Sequence, residues 1–481
     1  MKTLSGTLFR PASKASTAVY APAHDYSLAV PEGASRTLAC AWLWLGLAAL
    51  IGAGLFSILL VVSRTPFVSQ WLPVADFFRI ALVVHVDLSV LVWFMALAGM
   101  LWSINGSEWG LGWGWTALGL CSAGTVMMSL APFTGGGEAI MANYIPVLNG
   151  PLFIAGLLVF AVGAVLLVLR SMLTVPRLHT SIDGTAALRF GLNACAVSAA
   201  VALIAFAWSY ATVPGSLSGK AYYEVLFWGG GHALQFTWTL LMLIAWLWLA
   251  SASGAPVPLS PRIVLFMFAL ALASVFVTPY AYLAHDVGSV EHRNLLTWAM
   301  RLGGGVSILP ISLAIVLALR SSSNPPPTAR PLRAALMSSV LLFAAGGLIG
   351  VFINGSNVRI PAHYHGCIVG VTLALMGLVY HLLPQFGYRA PSARLATLQP
   401  ILYGAGQMMH IVGLVWSGGY GVQRKVAGAD QVLRTGAEIA GMGLMGLGGL
   451  IAVIGGVLFV VVVLSATRRS AAQQPPLQAH A

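Results

Sequence analysis

Charge is what this chain has least of. Of its 481 residues only 7% are Asp, Glu, Lys or Arg, against about 25% in ordinary soluble domains. A water-soluble fold of this length needs far more polar surface. A soluble enzyme, a nucleic-acid-binding protein and a disordered chain are therefore excluded. Cysteine is scarce as well. Cys40, Cys121, Cys195 and Cys367 stand singly, in no CxxC or CxxCH. That excludes covalently attached haem c, a thiolate copper centre and a disulfide frame. The first 40 residues are polar, carry Lys2, Arg10, Lys14 and Arg36, and show no short signal peptide with a small-residue cleavage site.

What the chain does have is apolar length. Residues of apolar type make up 58%, and a membrane-spanning helix needs roughly 20 in succession. Twelve such runs occur, at 41–62, 79–104, 111–131, 150–169, 189–211, 223–250, 263–286, 295–319, 334–353, 360–387, 397–417 and 440–465. The expectation is an all-α membrane protein, a bundle of twelve transmembrane helices over residues 41–465. Residues 1–40 and 466–481 form short tails. The net charge of +12 does not point to nucleic acid, because the basic residues gather at the ends and in alternate loops, as at Arg170, Arg177, Arg320, Arg330 and Arg468. The positive-inside rule then predicts cytoplasmic N- and C-termini.

Ionisable groups inside a bilayer are expensive and mark function by default. Of the 11 histidines, His24, His179 and His480 fall in tails or a loop. His85, His232, His285, His363 and His365 fall near the outer end of their runs, at one depth of the bilayer. A lone membrane histidine is more often a packed core residue, but five at one level read as ligands of a buried metal centre. The pair in Ala362-His363-Tyr364-His365-Gly366 says more. Positions i and i+2 of a helix point about 200° apart, so one helix sends imidazoles to two faces and serves two cofactors. His85 is suited to complete a six-coordinate haem on one side, leaving an open haem on the other. On that open side stand His232 and His285, with Asp286 next in the chain. Two imidazoles and a carboxylate suit non-haem iron, whereas copper prefers nitrogen. Asp286 has a plainer reading, as a helix-end acid paired with Arg293. His292 takes its place as third ligand only if the helix ends before it. His381 and His410 read as structural.

These residues resemble a known family. Trp228-Gly229-Gly230-Gly231-His232 is similar to the W-x-x-G-H element of haem–copper oxidase catalytic subunits (subunit I), and 362–366 is similar to their tenth-helix A-H-x-H. His85-Val86-Asp87-Leu88 stands at the place of their second-helix histidine. The 147 residues between His85 and His232 and the compact loops look closest to the C-family (cbb-type) oxidases and the nitric oxide reductases. The resemblance implies that His85 and His365 ligate a low-spin haem b and His363 a high-spin haem b. It implies that His232 and His285 bind the second metal, iron or copper. Arg424 and Lys425, with Arg434 assisting, resemble the basic outer loop that neutralises haem propionates. Glu138 resembles an acidic segment that helps bind calcium. A cytochrome c or cupredoxin subunit, or quinol, would donate electrons, and the bacterial inner membrane is the implied location.

Departures from the family pattern narrow the chemistry. Its seventh helix carries His-His where this chain reads His285-Asp286. Oxygen-reducing members carry an active-site tyrosine; here the two corresponding places hold Pro279 and Phe236, with Tyr280 and Tyr282 out of register. The inner halves of spans 6 to 10 contain no Asp, Glu or Lys, so no acidic inner proton route is expected. The leading expectation is reduction of nitric oxide to nitrous oxide at a high-spin haem b and non-haem iron. The alternatives are a cbb-type oxidase reducing O2 and, from another class, a transporter or haem-based sensor.

Overall fold

The structure, a computed structural model, describes residues 24–67, 75–135, 137–176, 181–322, 324–353, 357–426 and 431–468. Arg177, His179, Arg469 and His480 lie outside them.

Twelve long helices follow one another: α1 (Ala34–Arg64), α2 (Phe77–Asn105), α3 (Leu111–Phe133), α4 (Pro151–Leu173), α5 (Gly184–Thr212), α6 (Gly219–Ala252), α7 (Pro261–Ala284), α8 (Val290–Ser321), α9 (Arg330–Val351), α10 (Arg359–Leu382), α11 (Ala393–Gly419) and α12 (Gly436–Thr467). Eleven are long and apolar enough to cross a membrane; α11, which carries Arg394, Gln399, Gln407 and His410, is the one outside that set. A small hairpin, β1 (Glu138–Ile140) against β2 (Val147–Asn149), lies between α3 and α4.

Helices outrun the apolar runs because polar residues cap them. Asp183 accepts from the Ala186 amide at 2.8 Å ahead of α5. Ser260 and Ser289 do the same for α7 and α8. Before α12, Thr435 takes the Glu438 amide, and the Glu438 carboxylate reaches back to the amide of Arg434, one residue ahead of the cap. Inside α7, Pro279 has no N–H for the carbonyl of Val275, and the helix breaks at Phe276.

Sequential helices pack as antiparallel neighbours, α3 on α4, α5 on α6, α9 on α10 and α11 on α12, and α12 closes onto α1. The enclosed helices are α6, α10 and α2, with 89%, 78% and 67% of their most apolar stretch buried; the other eight of membrane-crossing length reach 50% at most. These three carry His232, the His363/His365 pair and His85. The bundle therefore buries the expected ligand helices deepest. The N-terminal segment before α1 straps beneath the α6–α7 connection, with Tyr26 fully buried and its hydroxyl donating to the Leu259 carbonyl.

Candidate metal centre

Helix α10 forks its two imidazoles as the 200° spacing requires. His363 faces α9, where its Nδ1 lies 2.7 Å from the Gly346 carbonyl. A Cβ at Gly350 would stand 2.6 Å from the same ring, so only glycine leaves room there. His365 faces the other way, its ring centroid 4.7 Å from that of His410 on α11, with His85 an electrostatic neighbour. The following Gly366 lets the two backbones touch, since a Cβ on it would meet Gly346 Cα at 2.5 Å.

His85 sits on α2 just before a π-helical segment, Asp87–Val92. The Ser89 hydroxyl donates to the His85 carbonyl at 2.6 Å, which satisfies an acceptor the widened turn releases. His85 Nδ1 lies 2.9 Å from the Ala53 carbonyl. A carbonyl only accepts, so in His85, His363 and His410 (2.7–3.0 Å from carbonyls) the proton sits on Nδ1. Nε2 keeps its lone pair, the tautomer a haem or metal ligand needs. These donors fit a haem.

His232 obeys the same rule, with Nδ1 2.7 Å from the Trp228 carbonyl one turn earlier. It is 2% exposed. The three glycines before it each admit an aromatic ring that a Cβ would displace: Gly229 the Tyr282 ring, Gly230 that of Phe206 and Gly231 that of Tyr144. The motif is thus a smooth helix face packed with aromatics around one imidazole.

Helix α7 ends at Ala284, and His285 is extended (φ −142°, ψ 146°) and half-buried. The chain then turns outward. Asp286, expected as the third donor beside His285, is exposed. Ser289 caps α8 and places His292 in its first turn, 1% exposed and with no partner for either ring nitrogen. His292 is an electrostatic neighbour of both His232 and His285. The early helix end, the condition for His292 to replace Asp286, is met. The reason is local: a helix continued to residue 286 would keep the carboxylate inward, whereas the extended His285 turns it out. Among the described residues, no three His, Cys, Asp or Glu converge tightly enough to hold an ion as the side chains stand.

The basic loop after α11 leans onto the same end of the bundle. Arg424 donates to the Tyr364 hydroxyl at 3.0 Å, between the two α10 histidines in sequence. Lys425, at φ +62°, donates to the Met141 carbonyl at 2.5 Å. Burial first, and Arg424 second, pull its ammonium down to about 8. Arg434 instead serves the α12 cap. Glu138 is exposed on β1, opposite Asn149. Arg293 stacks over Trp228 at 4.9 Å. Two residues were not singled out from sequence. His410 reads as structural from the sequence, and the structure sets its ring against His365 and its Nδ1 on the Met445 carbonyl. Tyr144 comes from a loop and carries no sequence signal of its place beside His232. His381, by contrast, lies towards the far end beside Gln385 and Trp248.

Comparison with known proteins agrees with the helical fold. The model of the family described as "Cytochrome C and Quinol oxidase polypeptide I" matches residues 37–458. An uncharacterized protein of Rickettsia prowazekii (strain Madrid E) is 28% identical over 499 aligned positions, covering 89% of this chain and 95% of that protein. An uncharacterized protein of Aquifex aeolicus (strain VF5) is 27% identical over 351 positions, covering 72% and 85%.

Proposed function

The chain belongs to the cytochrome c and quinol oxidase polypeptide I family, a family of haem–copper oxidase-type membrane oxidoreductases, and from that premise we propose that it reduces nitric oxide. Two NO, two electrons and two protons yield N2O and water. In this reading His85 and His365 hold a low-spin haem b, and His363 holds a high-spin haem b. His232 and His285, with His292 or Asp286, hold non-haem iron. When bound, these groups carry the electrons and take the substrate. The chain's own residues orient them, through the carbonyls of Ala53, Gly346 and Trp228 on the Nδ1 protons. Trp228, its ring centroid 4.7 Å from that of His232, gives that side apolar surface, and Arg424 and Lys425 offset the anionic haem edge.

The observation that carries nitric oxide over oxygen is the chemistry missing around His232. One turn on stands Phe236, 5% exposed, and six residues before His285 stands Pro279. These are the places where oxygen-reducing relatives keep their tyrosine. The halves of α6 to α10 away from the histidines also hold no Asp, Glu or Lys, which supports protons drawn from the histidine end and no pumping. Both termini would then be cytoplasmic in a bacterial inner membrane, with quinol or a cytochrome c or cupredoxin subunit as donor. Turnover of purified protein with NO against O2 decides the reaction. Rapid O2 reduction with negligible NO consumption overturns it.

A second reading has one observation in its favour. His292 supplies a third buried imidazole, and an all-nitrogen donor set suits copper and O2 reduction. Stoichiometric copper in the purified protein selects this reading over iron.

A further inference from the structure

We propose that the cleft between the start of α9 and the start of α11 binds one anionic phospholipid. Arg330 and Arg394 take its phosphate, and the apolar residues beneath them take its acyl chains. The site lies at the end of the bundle away from the histidines, since α9 meets His363 at Gly346 and Gly350, near its other end.

Helices α9 and α11 pack against each other, and a cavity of about 470 Å³ opens where both begin. That volume falls in the range of about 300–1,000 Å³ usual for small-molecule sites. Its lining includes Arg330, the first residue of α9, and Arg394, in the first turn of α11. Both arginines are exposed, and neither guanidinium has a hydrogen bond or ion pair among the described residues. Neither helix start carries a side-chain cap, so the first-turn amides add to the positive field. No acid offsets it from the adjoining connections, because 322–329 and 383–392 contain Arg389 but neither Asp nor Glu. Unpaired guanidinium groups at a membrane surface suit a phosphate ester.

The remainder of the cleft selects a lipid over a soluble phosphate compound. It is lined by Pro327, Ala393, Thr397, Leu398 and Ile401. The Thr397 hydroxyl donates to the Ala393 carbonyl of its own helix at 2.6 Å, which leaves the two arginines as the side chains with donors to spare. Leu398 and Ile401 follow Arg394 at i+4 and i+7, on its face of α11, and both are exposed. Met337 and Leu341 follow Arg330 at i+7 and i+11, on its face of α9, and are exposed as well. At 1.5 Å per residue each apolar stripe reaches about 10 Å or more from its arginine into the hydrocarbon. A cation at headgroup level above an apolar stripe, repeated on two adjoining helices, matches a phosphate above acyl chains. A sugar phosphate would leave its hydroxyl groups unpaired against the same apolar walls.

The test uses the purified full-length protein in mild detergent, stripped of lipid. Dioleoylphosphatidylglycerol is the probe, and native mass spectrometry counts what stays bound. One molecule should be retained per chain at a concentration where dioleoylphosphatidylcholine and glycerol phosphate leave the chain bare. The paired variant Arg330→Gln, Arg394→Gln should weaken retention about tenfold or more, with helical content by circular dichroism unchanged. Arg262→Gln, which alters an exposed first-turn arginine of α7 outside the cleft, should retain the lipid as before. Equal retention of phosphatidylcholine, displacement of the lipid by millimolar glycerol phosphate, or undiminished retention in the paired variant overturns the proposal. Should the paired variant fail to fold, the comparison of the three probes on the unaltered chain still decides.

Discussion

At the end of the bundle away from the histidines, Arg170 is fully buried and donates to the carbonyls of Gly110 and Ser107, both at 3.1 Å. Arg333, also buried, holds the Ser253 and Ser322 carbonyls and the Ser322 hydroxyl. Each guanidinium ties a loop to a helix end. At the histidine end His292 is buried as deeply, yet neither ring nitrogen has a partner, and the same is true of both Asp87 oxygens beside His85. A buried polar group left unmade costs about 1–3 kcal/mol. Arg170 Nη1 and Arg333 Nε are unfilled too, yet each guanidinium keeps other bonds, whereas the ionisable groups of His292 and Asp87 have none. That contrast is what the proposed ligand layer at one end would require.

The contrast is broken most directly at α10. His363→Ala should lower haem content by about half, remove the high-spin spectral component and leave turnover below about one hundredth. Pyridine haemochrome and optical spectra check it, and full haem retention would break the assignment. The next largest effect lies at His292. His292→Asn should weaken the second metal by about tenfold or more, while Asp286→Asn leaves it unchanged, as read by metal analysis after dialysis. The reverse order would restore Asp286 as the ligand. At the far end, Arg170→Ala should cost about 3 kcal/mol of stability by stranding two carbonyls, lowering the thermal midpoint with the haem spectra intact. Loss of haem without loss of stability would erase the distinction between the ends.

The smallest effect is a slope with pH. The Lys425 ammonium sits at about 8 in the folded chain against its ordinary 10.5. Between those values the unfolded chain binds more protons, so stability rises with pH across that window. Below about 8 the burial penalty on the charged form is fully present. Lys425→Met should flatten the rise, measured as thermal midpoint against pH. A haem propionate bound beside Lys425 opposes the shift, so haem loading should move the rise to higher pH.

Much of the fold was legible because a bilayer imposes a simple demand. Roughly 20 apolar residues must run together, and twelve such runs became twelve helices. The layer of histidines was legible for the same reason, since an imidazole at membrane depth stands out against apolar neighbours. The ends were harder. Whether α7 carried Asp286 inward depended on where it stopped, and the Pro279 break and extended His285 are not set by hydrophobic period. Tyr144 could not be seen at all from its own stretch. Its place depends on Gly231, more than 80 residues away, leaving space for a ring.

Scarce charge and the apolar runs determined by themselves that this is a helical membrane protein. The His-Tyr-His spacing on α10 determined that two imidazoles leave one helix on opposite faces, because helical geometry is local. Only the tertiary structure decided which groups share a face across helices. It brought His410 to His365, His292 towards His232, and the Tyr144 hydroxyl to the His232 ring. Those pairings follow from close packing between distant segments, where a missing Cβ or a helix ending two residues sooner redirects a side chain.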